Sequence, residues 1–288
     1  FLLGVASLAI AVARPVAAIE VPLSRTTIIL ATTLLVYAEG LSGPFLFDDH
    51  VHITQNRWVQ IDSLALPDLQ RAWNSSFSAF PANRPLAQLT FGINHALSGL
   101  DPWAFKLVNL LIHLVNGLLV LLLARAILAT RFDARTAWRL GVVCMAVWLL
   151  HPLLVSTAAY VVQRMTQLAS LFVLLGLLSY IHGRKMLDAQ PGRGWAWIIV
   201  GMGMSGLLAL LSKESGILLP LYALAIELTV FSQAPLARSR KMALLALLVI
   251  PALAMPAYVL FNWDAVQAGF AQRPFSMQER MLTQALVL

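Results

Sequence analysis

Two adjacent carboxylates, Asp48 and Asp49, follow Gly43-Pro44-Phe45-Leu46-Phe47 and precede His50, where the first strongly apolar run stops. A carboxylate is costly in hydrocarbon, so an acidic pair at the edge of such a run is a candidate general base for an acceptor hydroxyl. The second acid would orient a partner or hold a divalent cation. Two neighbouring acids raise the pKa of one of them, which suits a base near neutral pH. The plainer alternative is one Asp capping a loop helix. Arg84, Arg164 and Lys213 are cations that could hold a lipid-linked phosphate, or snorkel to headgroups. His50, Gln163 and Glu214 are supporting polar groups beside them. No zinc-type spacing, phosphate loop or Ser-His-Asp order accompanies these residues.

These groups must be positioned by apolar helices. Of 288 residues, 59% are hydrophobic and 11% charged, and the mean hydropathy is +0.78. That leaves too little polar surface for a water-soluble globule. Apolar runs of about 20 residues recur, long enough to cross a hydrocarbon core, and lipid leaves backbone groups no partner outside a helix or a closed barrel. The expected fold is therefore all-α and polytopic, with about seven or eight spans. The net charge of +7 is scattered between apolar runs, which argues for membrane topology and against nucleic acid.

Residues 1–25 form an N-terminal apolar segment with no assigned role, and 26–288 the transmembrane domain. Spans are expected near Thr26–Ser42, Phe105–Leu128, Leu140–Tyr160, Gln163–His182, Trp195–Leu211, Gly216–Phe231 and Met242–Phe261, with an eighth starting after Arg280. Residues 44–102 form a long first external loop whose aromatics suit interfacial helices. In the second span Lys106, Asn109, His113 and Asn116 share one narrow stripe about 15 Å long. Such a stripe faces the bundle, and interhelical hydrogen bonding explains it better than ligand contact. His151-Pro152 reads as a kink. Tyr160, Gln163, Arg164 and Gln167 share a face if the helix is continuous there.

Arg14, Arg25, Arg125, Arg131, Arg135, Arg139, Arg184, Lys185, Arg193, Arg238, Arg240 and Lys241 lie on the N-terminal flank and on the connections after spans two, four and six. The positive-inside rule makes that side cytoplasmic. Asp48, Asp49, Arg84, Arg164 and Lys213 then converge on the opposite side.

An ordered series of motifs carries a family resemblance: Phe47-Asp48-Asp49-His50 with Ile53 and Asn56, Arg84-Pro85-Leu86, Leu100-Asp101-Pro102-Trp103, Leu107-Val108-Asn109 to His113, His151-Pro152, Gln163-Arg164-Met165-Thr166, Ser212-Lys213-Glu214-Ser215-Gly216 and Glu279-Arg280-Met281-Leu282-Thr283-Gln284. Over about residues 28–288 the chain resembles the membrane domain of the transmembrane and tetratricopeptide-repeat O-mannosyltransferase-like proteins, in its bacterial form. The resemblance implies a GT-C glycosyltransferase fold, a polyprenyl-phosphate-linked sugar donor and an exported protein acceptor. It further implies transfer at the periplasmic or external face of a bacterial inner membrane. It places a catalytic acid in the first external loop, at Asp48 or Asp49, and expects a repeat domain after the membrane part. Eukaryotic relatives tend to carry an acid just after the arginine matching Arg164, where this chain has Met165-Thr166. The expected activity is transfer of mannose or another hexose to a Ser or Thr hydroxyl. The rival readings are a transporter or flippase of lipid-linked sugar, and a membrane scaffold for the repeat domain.

Overall fold

The structure, a computed structural model, describes residues 23–76 and 83–264 together with a few positions between 267 and 283. The opening apolar segment and the start of the eighth span fall largely outside those residues. Among the described residues every regular element is helical. The helices are α1 (Leu23–Ala38), α2 (Leu66–Trp73), α3 (Pro85–Ser98), α4 (Pro102–Leu128), α5 (Ala134–Leu149), α6 (Val155–Ala159) and α7 (Arg164–Met186). They continue with α8 (Pro191–Ser212), α9 (Leu219–Thr229) and α10 (Arg238–Phe261). Proline at the first turn opens α2, α3 and α4, where its missing N–H costs nothing.

Four helices among the described residues are long and apolar enough to span a membrane, over Pro102–Leu128, Val161–Met186, Pro191–Ser212 and Arg238–Tyr258. A fifth results if Ala134–Leu149 and Pro152–Ala159, bent by 54°, count as one span. The apolar runs expected at Thr26–Ser42 and Gly216–Phe231 are interrupted by turns, which leave helices of 16 and 11 residues. The second run is broken by a 3-10 turn at Glu214–Leu218. Hydropathy counts apolar residues and does not register where the chain turns. The long loop carries α2, α3 and a π-turn at His50–Thr54.

α7 is the central post, packed against α4 and α8, with α5 on the far side of α4. The stripe of α4 faces inward as its period requires: Lys106, Asn109, His113 and Asn116 are all buried. His113 Nε2 lies 3.0 Å from the Leu149 carbonyl and its ring stacks on Trp148. Asn116 donates to the Gln167 carbonyl, and Gln167 donates to that of Thr157. The Leu149 and Thr157 carbonyls lie where α5 and α6 end, so two of these bonds satisfy backbone acceptors that a break in the bent span exposes.

Candidate functional site

The site lies at one end of the bundle, where α4 and α7 begin and α8 ends. Its foundation is Arg164, the largest fully buried side chain. Its Nε donates to Asn109 Oδ1 at 2.8 Å, its NH1 to the Thr90 carbonyl, and its NH2 to Asn94 Oδ1 and the Phe105 carbonyl. The guanidinium carbon stands 4.9 Å from the Phe91 ring centroid and 5.4 Å from that of Phe105. Arg164 thus ties α3, α4 and α7 together. Four of its five N–H donors are engaged and the side chain is fully buried, so a phosphate outside the bundle does not reach it in this arrangement.

Asp49 is the second foundation residue. It is fully buried, and it accepts from Val162 N–H at 2.7 Å and Leu46 N–H at 3.0 Å. Burial raises its pKa above the usual carboxylate range, opposed by those backbone bonds and by Lys106. The cause is desolvation, not the neighbouring acid that the pair suggested. Lys106 donates to the carbonyls of Gly43 and Gly40 at 2.8 and 3.3 Å. A Cβ on Gly43 would stand 2.7 Å from Nζ, so a larger residue there would displace the ammonium from its present position.

Asp48, one residue earlier, is exposed. Its backbone N–H donates to Tyr160 Oη at 2.8 Å. Phe47, just before it, has φ 40° and is 81% exposed. A bulky residue in that region is strained, and strain of about 1–3 kcal/mol gathers where function fixes the backbone. The Phe47 ring meets Tyr160 edge-on at 6.4 Å. Together these contacts hold the Asp48 carboxylate outward on a rigid base.

A cationic wall completes the site. Arg84, at the start of α3, forms a two-point ion pair with Glu214, Nε to Oε2 at 3.1 Å and NH2 to Oε1 at 3.0 Å, and its NH1 contacts Met165 Sδ. Lys213 ends α8 in an extended conformation and donates to Thr166 Oγ1 at 2.8 Å, and that hydroxyl donates to Gln163 Oε1. Gly216 lies against the Ala209–Leu210 backbone, where a Cβ has no space, so the tight turn after α8 requires glycine. Burial, then Arg84, lowers the Lys213 pKa; against its own burial Glu214 is held low by its backbone N–H, then by Arg84 and Lys213. His52 senses both Asp48 and Arg84, and its pKa is lowered chiefly by burial.

The predicted residues therefore separate. Asp48, Arg84, Lys213, Glu214 and Gln163 line the open end, whereas Asp49, Arg164, Asn109 and His113 are internal supports. His50 is exposed and bonded to Thr54. Tyr160, Gln163, Arg164 and Gln167 do not share one helical face. The chain is extended at Tyr160 and 3-10 over Val161–Gln163, which turns Arg164 and Gln167 inward and leaves Gln163 outside. His52 and Thr166 are the members that spacing did not single out; Thr166 lies within the quoted Gln163–Thr166 motif. Among the described residues no group of three or more His, Cys, Asp or Glu is arranged to hold a metal ion. Below Ser215, a cavity of about 200 Å³ is lined by Val120, Trp148, Val173, Leu174 and Tyr222 among others.

The chain is similar to Protein O-mannosyl-transferase TMTC2 of Mus musculus, 30% identical over 194 residues, covering 65% of this chain and 22% of that relative. TMTC4 of Mus musculus is 33% identical over 199 residues, covering 64% and 27%, and Tmtc2 of Drosophila melanogaster 31% identical over 195, covering 64% and 19%. The resemblance read from the motifs holds, and the chain spans about a quarter or less of the length of these relatives. No family model matches the chain, and no solved structure does.

Proposed function

We propose that this chain is the membrane part of a GT-C-type glycosyltransferase that moves a hexose, mannose in the first instance, from a polyprenyl-phosphate donor to a Ser or Thr hydroxyl of an exported protein. The observation that carries the reading is the exposed Asp48 carboxylate, fixed by Tyr160 and a strained Phe47, at the same end of the bundle as Lys213 and Arg84. Asp48 takes the proton of the acceptor hydroxyl. The freed oxygen bonds to the anomeric carbon as the carbon–oxygen bond to phosphate breaks, which inverts that centre. Lys213, with donors beyond the one given to Thr166, offsets the charge left on the lipid phosphate. Arg84 contributes by sharing its ion pair with Glu214. Asp49 and Arg164 hold the loop and helix ends that carry these groups. The apolar cavity below Ser215 has the character an isoprenoid tail needs.

The opposite ends of α4, α7 and α10 bear Arg125, Arg184, Lys185 and Arg238. By the positive-inside rule these charges support an orientation in which Asp48 faces the extracytoplasmic side, and the membrane proposed is a bacterial inner membrane. Proteoliposomes loaded with polyprenyl-phosphate mannose and a Ser/Thr peptide test the reaction. Free lipid phosphate and a mannosylated peptide should appear together. Sugar that crosses the bilayer still linked to lipid would instead identify a flippase.

A further inference from the structure

The far ends of the same helices hold a second charged cluster with no acid in it. From Arg164 to Lys185, α7 rises roughly 30 Å at 1.5 Å per residue, about the thickness of a hydrocarbon core. Lys185 Nζ donates to the Ala126 carbonyl at 3.1 Å, which closes the last turn of α7 onto that of α4, one residue along the chain from Arg125. α5 arrives at the same level: a Cβ on Gly141 would stand 3.1 Å from the Leu121 carbonyl and 3.6 Å from Arg125 Cβ. About one turn earlier on α5, the Trp138 ring lies under the Arg125 guanidinium, 5.7 Å from its central carbon. Trp138 Nε1 is buried and has no hydrogen-bond partner.

Among the described residues neither Arg125 nor Lys185 is ion-paired. The carboxylate of Asp133, in the loop joining α4 and α5, accepts instead from the N–H groups of Arg135 and Thr136. Glu227 is taken up by Arg184 and Tyr180. Two cations carried on neighbouring helix ends repel, and a buried N–H without an acceptor is unfavourable. One anion with several oxygens relieves both. Its depth selects the source, because basic pockets between helices at the edge of the hydrocarbon meet lipid headgroups.

We infer that the ends of α4, α5 and α7 form a binding site for the phosphate of an anionic phospholipid, in the leaflet opposite Asp48. Arg125 and Lys185 supply the charge. The indole of Trp138 holds Arg125 in place and supplies a further N–H donor.

The full protein in phosphatidylcholine nanodiscs, titrated with phosphatidylglycerol and read by native mass spectrometry, tests the site. One phosphatidylglycerol should be retained per chain. The double variant Arg125→Ala/Lys185→Ala should weaken retention about 30-fold, at about fivefold per cation. Trp138→Phe keeps the ring and removes the N–H, and should weaken retention about threefold to fivefold. Arg193→Ala, a basic residue of the same membrane side outside the cluster, should change nothing. Equal retention of the two lipids, or a double variant with unchanged unfolding temperature and unchanged retention, overturns the inference. Should the double variant fail to fold, Lys185→Ala and Trp138→Phe decide, and no loss in either overturns it. Displacement by millimolar inorganic phosphate would assign the cations to a free anion and also overturn the lipid reading.

Discussion

Asp48 and Asp49 are neighbours in the chain and opposites in the fold. Asp49 belongs to a sealed layer with Arg164, Lys106, Asn109 and Asn94, in which the charged groups are engaged by partners from several elements. Asp48 belongs to an open layer with Tyr160, Gln163, Lys213, Arg84 and Glu214, where polar groups keep a side toward solvent. The sealed layer sets positions; the open layer has capacity left for a substrate. Buried charges in an apolar bundle therefore do not all mark chemistry, because a charge with a complete shell has nothing left to offer a ligand.

The comparison breaks most visibly at Arg164. Arg164→Met leaves the carbonyls of Thr90 and Phe105 and the amides of Asn94 and Asn109 without their donor, and should destabilise the fold by about 3–5 kcal/mol. Detergent-solubilised protein should show a lower unfolding temperature or fail to accumulate; a stable variant that had lost only donor affinity would move Arg164 into the open layer. At Lys213 the expected loss is in substrate handling. Lys213→Met should raise the KM for the donor at least about tenfold, as expected for a charge-assisted phosphate contact of ~1.5–3 kcal/mol, with an unfolding temperature near that of the unaltered chain.

Asp48 and Asp49 were both legible as an acidic pair, but the residues alone do not say which is buried. That depends on the turn after Phe47 and on the N–H groups of Leu46 and Val162, which are backbone features. The stripe of α4 was legible because a helical period fixes which residues share a face, and its inward direction followed from the cost of polar groups in lipid. The inward direction of Arg164 is not legible in the residues, because a shared face over Tyr160–Gln167 requires a continuous helix and the extended residue at Tyr160 rotates everything after it. His52 was passed over because its relation to Asp48 and Arg84 exists only once the π-turn and α3 are in place.

Two smaller effects sharpen the contrast. Because burial and Arg84 lower the Lys213 pKa, its proton leaves at a lower pH than an exposed lysine's. Donor affinity should therefore decline on the alkaline side before ordinary lysines titrate, and Lys213→Arg should remove that decline; a profile insensitive to the substitution would take Lys213 out of phosphate binding. Tyr160→Phe removes the acceptor for the Asp48 N–H. It should cost about 1 kcal/mol of stability and lower kcat more than it changes KM, since the carboxylate is loosened without any loss of donor contacts.

The most direct measurement compares Asp48→Asn with Asp49→Asn in proteoliposomes, reading mannosyl transfer and thermal unfolding on the same preparations. Asp48→Asn should cut transfer by a factor on the order of 10² to 10⁴ at unchanged unfolding temperature. Asp49→Asn should lower the unfolding temperature, through a loss of about 1–3 kcal/mol. Full transfer by Asp48→Asn, or a loss of fold in place of a loss of rate, would contradict the assignment of the proton transfer to Asp48.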